Sequence, residues 1–106
     1  MFINLTGHEV HEMTSNIVIP ATNAKFRASC TTKLVDTIDG IPVYETELGK
    51  PNIPLPSPME GVVYIVSALA MNAVPEGRTD VVCPKQVIRD DNGAIIGCKG
   101  FRRGQA

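Results

Sequence analysis

Apolar positions along this chain fall in short runs broken by glycine, proline and Asx residues, and most repeat at a spacing of two. "FINLT" and "NIVIPA" are β-prone runs around a bend at Gly7, the second closed by Pro20. In "KFRASCTTKLV", Phe26, Ala28, Cys30, Thr32 and Leu34 share one face of an extended chain and Arg27, Ser29, Thr31 and Lys33 the other. Asp39-Gly40 supplies a tight turn and "IPVYETEL" returns, so residues 25 to 48 are expected to form a hairpin. Pro42 has no N–H to give a ladder, which makes the return strand an edge there.

"GKPNIPLPSPMEG", residues 49 to 61, holds four of the eight prolines and predicts a stiff connector without regular structure. Ile53, Leu55 and Met59 are expected to pin it to the body. "VVYIVS" is a continuous apolar run, expected to be a strand buried on both faces. Ser67 then caps a short helix over "ALAMNAV", which Pro75 stops. "DVV" predicts a short strand. "KQVIRDDNGAIIGCKGF" predicts a hairpin about Asn92-Gly93, and residues 101 to 106 a frayed tail. The expected fold is mainly β (α+β), a small antiparallel sandwich or partly open barrel of six or seven short strands with one short helix and no β-α-β alternation.

The length of 106 residues suits a single domain, and 43% hydrophobic residues with no tryptophan build a modest aliphatic core. A core that size leaves part of the work to good packing or to a partner subunit. Ten basic and eleven acidic residues give a net charge of −1, which argues against a nucleic-acid polymer as partner, because such proteins bind through a basic face. A small anion needs only one or two arginines and a few backbone N–H groups. Cys30, Cys83 and Cys98 have neither disulfide nor zinc spacing and read as small buried thiols of a reducing compartment. No signal peptide and no run long enough for a membrane span is present, so a cytoplasmic location is expected.

Several residues invite a chemical reading. His8 and His11 stand three apart in "HEVHE", a spacing that does not match the i, i+4 pattern of zinc helices and that places them on opposite faces of a strand. Ser67 ends an apolar strand, but the flanking Ile65 and Leu69 are not the glycines of a nucleophile elbow, so helix capping is favoured. Asp90 to Gly93 lacks calcium-loop spacing and reads as a turn. Arg78 and Asp80 sit between a helix end and a strand, a usual place for binding residues. Arginine's planar fork suits phosphate or carboxylate, and an internal Arg78–Asp80 or Arg78–Asp90 ion pair competes evenly with that role.

The strings "INLTGHEV", "EGVVYIVSALAMNAVPEGRTDVV" and "VIRDDNGAIIGCKGF" together resemble a family of small phage and prophage proteins of about this length. Its members typically open with Asn-Leu-Thr-Pro-His, carry Tyr-Ile-Val-Ser followed by Arg-x-Asp, and close on an Arg-Asp-x-x-Gly-x-Ile-x-Gly hairpin. Here Gly7 stands where the family usually has proline. The resemblance picks out Asn4, Thr6, His8, Tyr64, Ser67, Arg78, Asp80, Arg89, Asp90 and Gly93. Small phage proteins of this kind include sponges that cage nucleotide-derived immune signals, and that context suggests a comparable role in the host cytoplasm.

The expected function is therefore a homo-oligomeric binder of a small anionic, nucleotide-type ligand, without cofactor. Asn4, Thr6, His8, Ser67, Asn72, Arg78 and Asp80 are its candidate site. One rival is a hydrolase with His8 as general base, Asp80 orienting it and Arg78 stabilising negative charge. The other is a virion component or an inhibitor of a host protein, with the connector at 51 to 59 as its contact.

Overall fold

A computed structural model of the chain describes residues 1–28 and 30–104. The elements run β1 (Phe2–Asn4), β2 (Val10–Glu12), β3 (Ile17–Ile19), β4 (Cys30–Ile38), β5 (Ile41–Leu48), β6 (Val63–Ile65), α1 (Ala68–Met71), β7 (Val81–Pro84), β8 (Val87–Arg89), β9 (Ile95–Cys98) and β10 (Phe101–Arg103). The protein is mainly β with one short helix, as the alternation predicts. The described residues form ten strands rather than six or seven.

Three sheets result: β1-β6-β7-β10, β3-β2-β9-β8, and the hairpin β4-β5. The "VVYIVS" run lies centrally in the first, and its burial follows the pleat. Tyr64 and Val66 point with Val81 and Cys83 into a core shared with Leu5, Phe26, Ala70 and Met71. Ile65 and Val82 point the other way, against Val10, Ile19 and Cys98 of the second sheet. A strand covered on both sides has no polar face to keep, which explains the unbroken apolar sequence.

The wholly antiparallel expectation is corrected. β6 is parallel to both β1 and β7, with Asn4 opposite Ile65 and Tyr64 opposite Val81. The link from β6 through α1 to β7 is thus a β-α-β unit built on a helix of only four residues. β2 meets β9 in parallel at a single pair, Glu12 and Cys98. The remaining pairings are antiparallel.

The tail is also corrected: Phe101–Arg103 is a strand paired to β7, with Arg102 opposite Cys83, and Phe101 stacks on Phe2 with ring centroids 5.4 Å apart. Residues 105 and 106 of the expected tail lie outside the described residues. The hairpin at 85 to 101 forms, but its turn is a longer loop organised by Asp90. The Asp90 carboxylate accepts from Asn92 N and Ala94 N, and the Asp90 carbonyl accepts from Gly93 N.

Residues 49 to 61 are irregular, as four prolines require. Ile53 and Leu55 pack on the first core, whereas Met59 is exposed. Asn52 ties the connector down: its Oδ1 accepts from Arg27 N at 2.7 Å and its Nδ2 donates to Lys25 O at 2.8 Å.

The arm formed by β4 and β5 departs most from expectation. Asp39 and Gly40 take the positive φ of the predicted tight turn. Phe26 and Ala28 are buried, but they precede the strand, and Thr32 and Leu34 are exposed. The side chain of Cys30 and all of Ser29 lie outside the described residues. From Thr31 to Glu47 every residue is exposed except half-buried Val43. The radius of gyration is 16.1 Å, against about 13 Å for a compact chain of this length. Principal extents of 52 × 37 × 23 Å fit a body carrying a projecting arm.

Candidate functional site

The candidate residues divide between two ends of the first sheet. Asn4 ends β1 with Thr6 and His8 just beyond it, and Ser67 lies just beyond the C-terminal end of β6. Asp80 immediately precedes β7, and its carbonyl accepts from Tyr64 N. Because β1, β6 and β7 run parallel, Arg78 and Asp80 stand at the opposite end from Ser67, Thr6 and His8. At about 3.3 Å per residue, three residues from Tyr64 to Ser67 already separate the groups by ~10 Å along the strand.

Asn4 is buried, and its amide is fully engaged. Nδ2 donates to the carbonyls of His8 at 2.8 Å and Ile19 at 3.1 Å, while Oδ1 accepts from Thr6 N at 2.9 Å. Thr6 Oγ1 lies 2.6 Å from Asn4 Oδ1 and 2.9 Å from His8 O, so its single proton serves one of them at a time. The two side chains clamp the turn between the sheets. Gly7 enables that turn with φ +90°. Proline, fixed near −65°, cannot take that conformation, so a proline at this position would make a different turn.

Ser67 is the helix cap that the sequence predicts: its Oγ accepts from Ala70 N at 3.1 Å. Asn72 is the C-cap of α1, with its backbone N–H donating to Leu69 O at 3.3 Å.

Arg78 is held within its own loop. Nε donates to Asp80 Oδ1 at 2.8 Å and Nη2 to Asp80 Oδ2 at 2.9 Å, a bidentate pair, and Nη2 also reaches Pro56 O at 2.8 Å. The two side chains are only 18% and 19% exposed. Hydrogen bonding from Arg78 holds the Asp80 carboxyl below the ordinary aspartate range, and the same bond raises the guanidinium. The internal ion pair with Asp80 is therefore formed, and it fastens the β7 entry to the proline connector.

Two cavities are open near these groups. A cleft of about 450 Å³ lies between β2 and β9, lined by His8, Glu9, Val10, His11 and Ile95 to Cys98. β2 and β9 pair in register only at Glu12–Cys98, and the His11 carbonyl lies close against Gly97. His11 Nε2 lies 2.9 Å from Asn16 Oδ1 and so acts as the donor there. A cavity of about 270 Å³ is lined by Met71, Val74, Pro75, Glu76, Gly77, Arg78 and Gly104.

Glu12 was not among the sequence candidates, yet it is the most heavily bonded carboxylate described. It accepts from the Thr14 hydroxyl, from Thr14 N and Gly100 N at 3.0 Å each, and from Ser15 N at 2.8 Å. The Thr14 hydroxyl first, then Ser15 N–H, lower its pKa to about 2. The sequence signal was Glu followed by Met-Thr-Ser, short residues able to turn their N–H groups onto the carboxylate.

Cys83 and Cys98 are buried and free, and burial pushes both thiols up, away from reactive thiolate. Among the described residues no group of three His, Cys, Asp or Glu gathers to hold a metal. No described helix is long and apolar enough to cross a membrane.

Set against protein-family models, curated proteins and solved structures, the chain matches none.

Proposed function

We propose that this protein acts by binding another polypeptide through its projecting β4-β5 arm, as a phage-type interaction protein. One observation carries the reading. Leu34, Val35, Ile38, Ile41 and Tyr44 stand 45% to 66% exposed on a two-stranded hairpin that the body does not cover. An isolated two-stranded hairpin is marginal in water, and concentrated exposed apolar surface on a small protein marks an interaction site. Ile38 and Ile41 flank the tight turn, where polar residues would serve solubility better. The contact shifts from the proline connector, where Ile53 and Leu55 are engaged inward, to the arm.

Separation of His8 from Arg78 and Asp80 favours binding over hydrolysis, since a base and its orienting carboxylate must lie within hydrogen-bond reach. The test is recovery of the protein from its bacterial host. The full chain carries a stoichiometric polypeptide, and the double variant Ile38→Asp, Ile41→Asp loses it while keeping the circular dichroism of the body. Equal recovery with both proteins contradicts the reading.

A second reading, a sponge for a small nucleotide-type anion, keeps support from the 270 Å³ cavity beside Arg78. Its size falls just below the usual range of small-molecule sites, and the fork of Arg78 would have to leave Asp80 to meet a phosphate. Calorimetry with cyclic and linear nucleotides tests it: affinity no tighter than about 100 μM, or −5.5 kcal/mol, across the panel excludes it.

A further inference from the structure

We infer that the arm takes its partner as an added strand: the open edge of β5 over Tyr44 to Glu47 pairs antiparallel with an extended polypeptide segment in which basic and β-branched residues alternate. The inference deepens the arm-binding reading and rests on it.

The edge is open. Among the described residues β4 and β5 pair with each other and with no third strand, and no backbone hydrogen bond ties residues 31 to 47 to the body. Asp39 and Gly40 both have positive φ, 51° and 80°, so the two-residue turn is of type I′ and closes on Ile38 and Ile41 as a hydrogen-bonded pair. Inward and outward backbone groups alternate from there along an antiparallel ladder, which turns those of Pro42, Tyr44 and Thr46 away from β4. Pro42 has no N–H, so the usable edge of β5 starts beyond it, where Tyr44 and Thr46 each offer one N–H and one C=O. The edge of β4 is less regular. Its ladder shifts register between Leu34 and Asp36, and Asp36 Oδ1 already accepts from Thr37 N at 2.7 Å.

Charge selects the occupant. The arm, residues 30 to 48, has one lysine, Lys33, against Asp36, Asp39, Glu45 and Glu47. Glu45 and Glu47 share one face of β5 and are exposed, and among the described residues neither is in an ion pair, although Lys33 lies opposite Glu45 in the ladder. Tyr44 and Thr46 share the other face, with Leu34 and Thr32 opposite them. A strand laid on this edge sets its alternate side chains directly opposite these residues. Lysine or arginine against the glutamates, and β-branched residues against Tyr44 and Thr46, are the favourable cross-strand pairs. An antiparallel second copy of the same edge, centred on Thr46, would set Glu45 against Glu47, like charge on like, so the occupant is a different chain. Strand addition of this kind takes its affinity from main-chain hydrogen bonds and its selectivity from alternate side chains.

Fluorescence anisotropy on the full chain tests this with a labelled, end-blocked heptapeptide, Val-Lys-Val-Lys-Val-Lys-Val. The wild-type chain is expected to bind it with a dissociation constant on the order of 100 μM or below, and about tenfold more tightly than the same peptide with glutamate for lysine. Methylating the valine nitrogens keeps the charge and removes the donors aimed at β5, and is expected to weaken binding about tenfold or more. Thr46→Pro removes an outward N–H without touching the ladder to β4 and is expected to do the same. Thr32→Pro, opposite it on the other edge, is expected to stay within about twofold of wild type. Should either proline unfold the arm, the methylated peptide on the wild-type chain decides.

No binding of the lysine peptide by the wild-type chain at about 1 mM overturns the inference. So does equal binding of the methylated peptide, or equal binding by a folded Thr46→Pro, either of which reduces the contact to charge alone. A host polypeptide kept by Thr46→Pro and lost by Ile38→Asp with Ile41→Asp would leave the arm-binding reading standing and remove only the added strand.

Discussion

Arg78 gives its guanidinium to its own loop, and the consequence is measurable. Both members of the pair are four-fifths covered, and Arg78→Ala leaves the Asp80 carboxylate and the Pro56 carbonyl without their donor. The expected loss is about 1–3 kcal/mol of folding stability, more than an exposed pair contributes. Arg78→Lys restores part of it, since an ammonium cannot fork. Thermal melts of the two variants check this; an unchanged melting temperature in Arg78→Ala contradicts it.

Glu12 makes a pH prediction at the same scale. Its folded pKa, near 2, lies below its ordinary value of 4.5. A depressed carboxyl contributes stability that is fully present above the ordinary value and is lost as pH falls toward the folded one. Melting temperature should therefore fall between about pH 5 and pH 2, and Glu12→Gln should flatten that fall while lowering stability at neutral pH. An acid limb of the same steepness in Glu12→Gln assigns the effect elsewhere.

At the scale of elements, the strand over Val63 to Ile65 and the capped helix after it were legible because their signals are local. A doubly covered strand is apolar throughout, and Ser67 caps the residues next to it in sequence. The partnership of β1 with β6 was not legible. It joins Phe2 to Val63 across sixty residues, and a three-residue strand does not encode whether its neighbour runs parallel. The β4-β5 turn was read from Asp39-Gly40, but the exposure of the arm was not. Period-two alternation says which residues share a face and not whether anything covers that face. The candidate site was legible only in part: Ser67 as a cap and Arg78 with Asp80 as a pair came from neighbours, whereas the clamp of Asn4 on Ile19 depends on two sheets meeting.

The arm's independence yields a prediction of its own. Replacing residues 31 to 47 by a short glycine-serine turn removes little that the body packs against. Stability of the remainder is expected to stay within about 1 kcal/mol, a shift of roughly 4–8 °C in melting temperature at most. Loss of cooperative unfolding in that deletion would show that the arm belongs to the core.

For the whole molecule, two packed sheets and a helix form a body that satisfies its own buried polar groups, and the arm projects from it uncovered. Every buried side-chain nitrogen and oxygen among the described residues has a partner. The radius of gyration exceeds that of a compact chain, and the arm's apolar residues face solvent. The account turns on that arm being covered by another molecule. Amide hydrogen exchange over Thr31 to Glu47, followed on the isolated chain in dilute solution and on the complex recovered from the host, tests this most directly. The account predicts fast exchange in the isolated chain and strong protection in the complex. Protection of equal strength in both would mean that the arm folds onto its own body, and would contradict it.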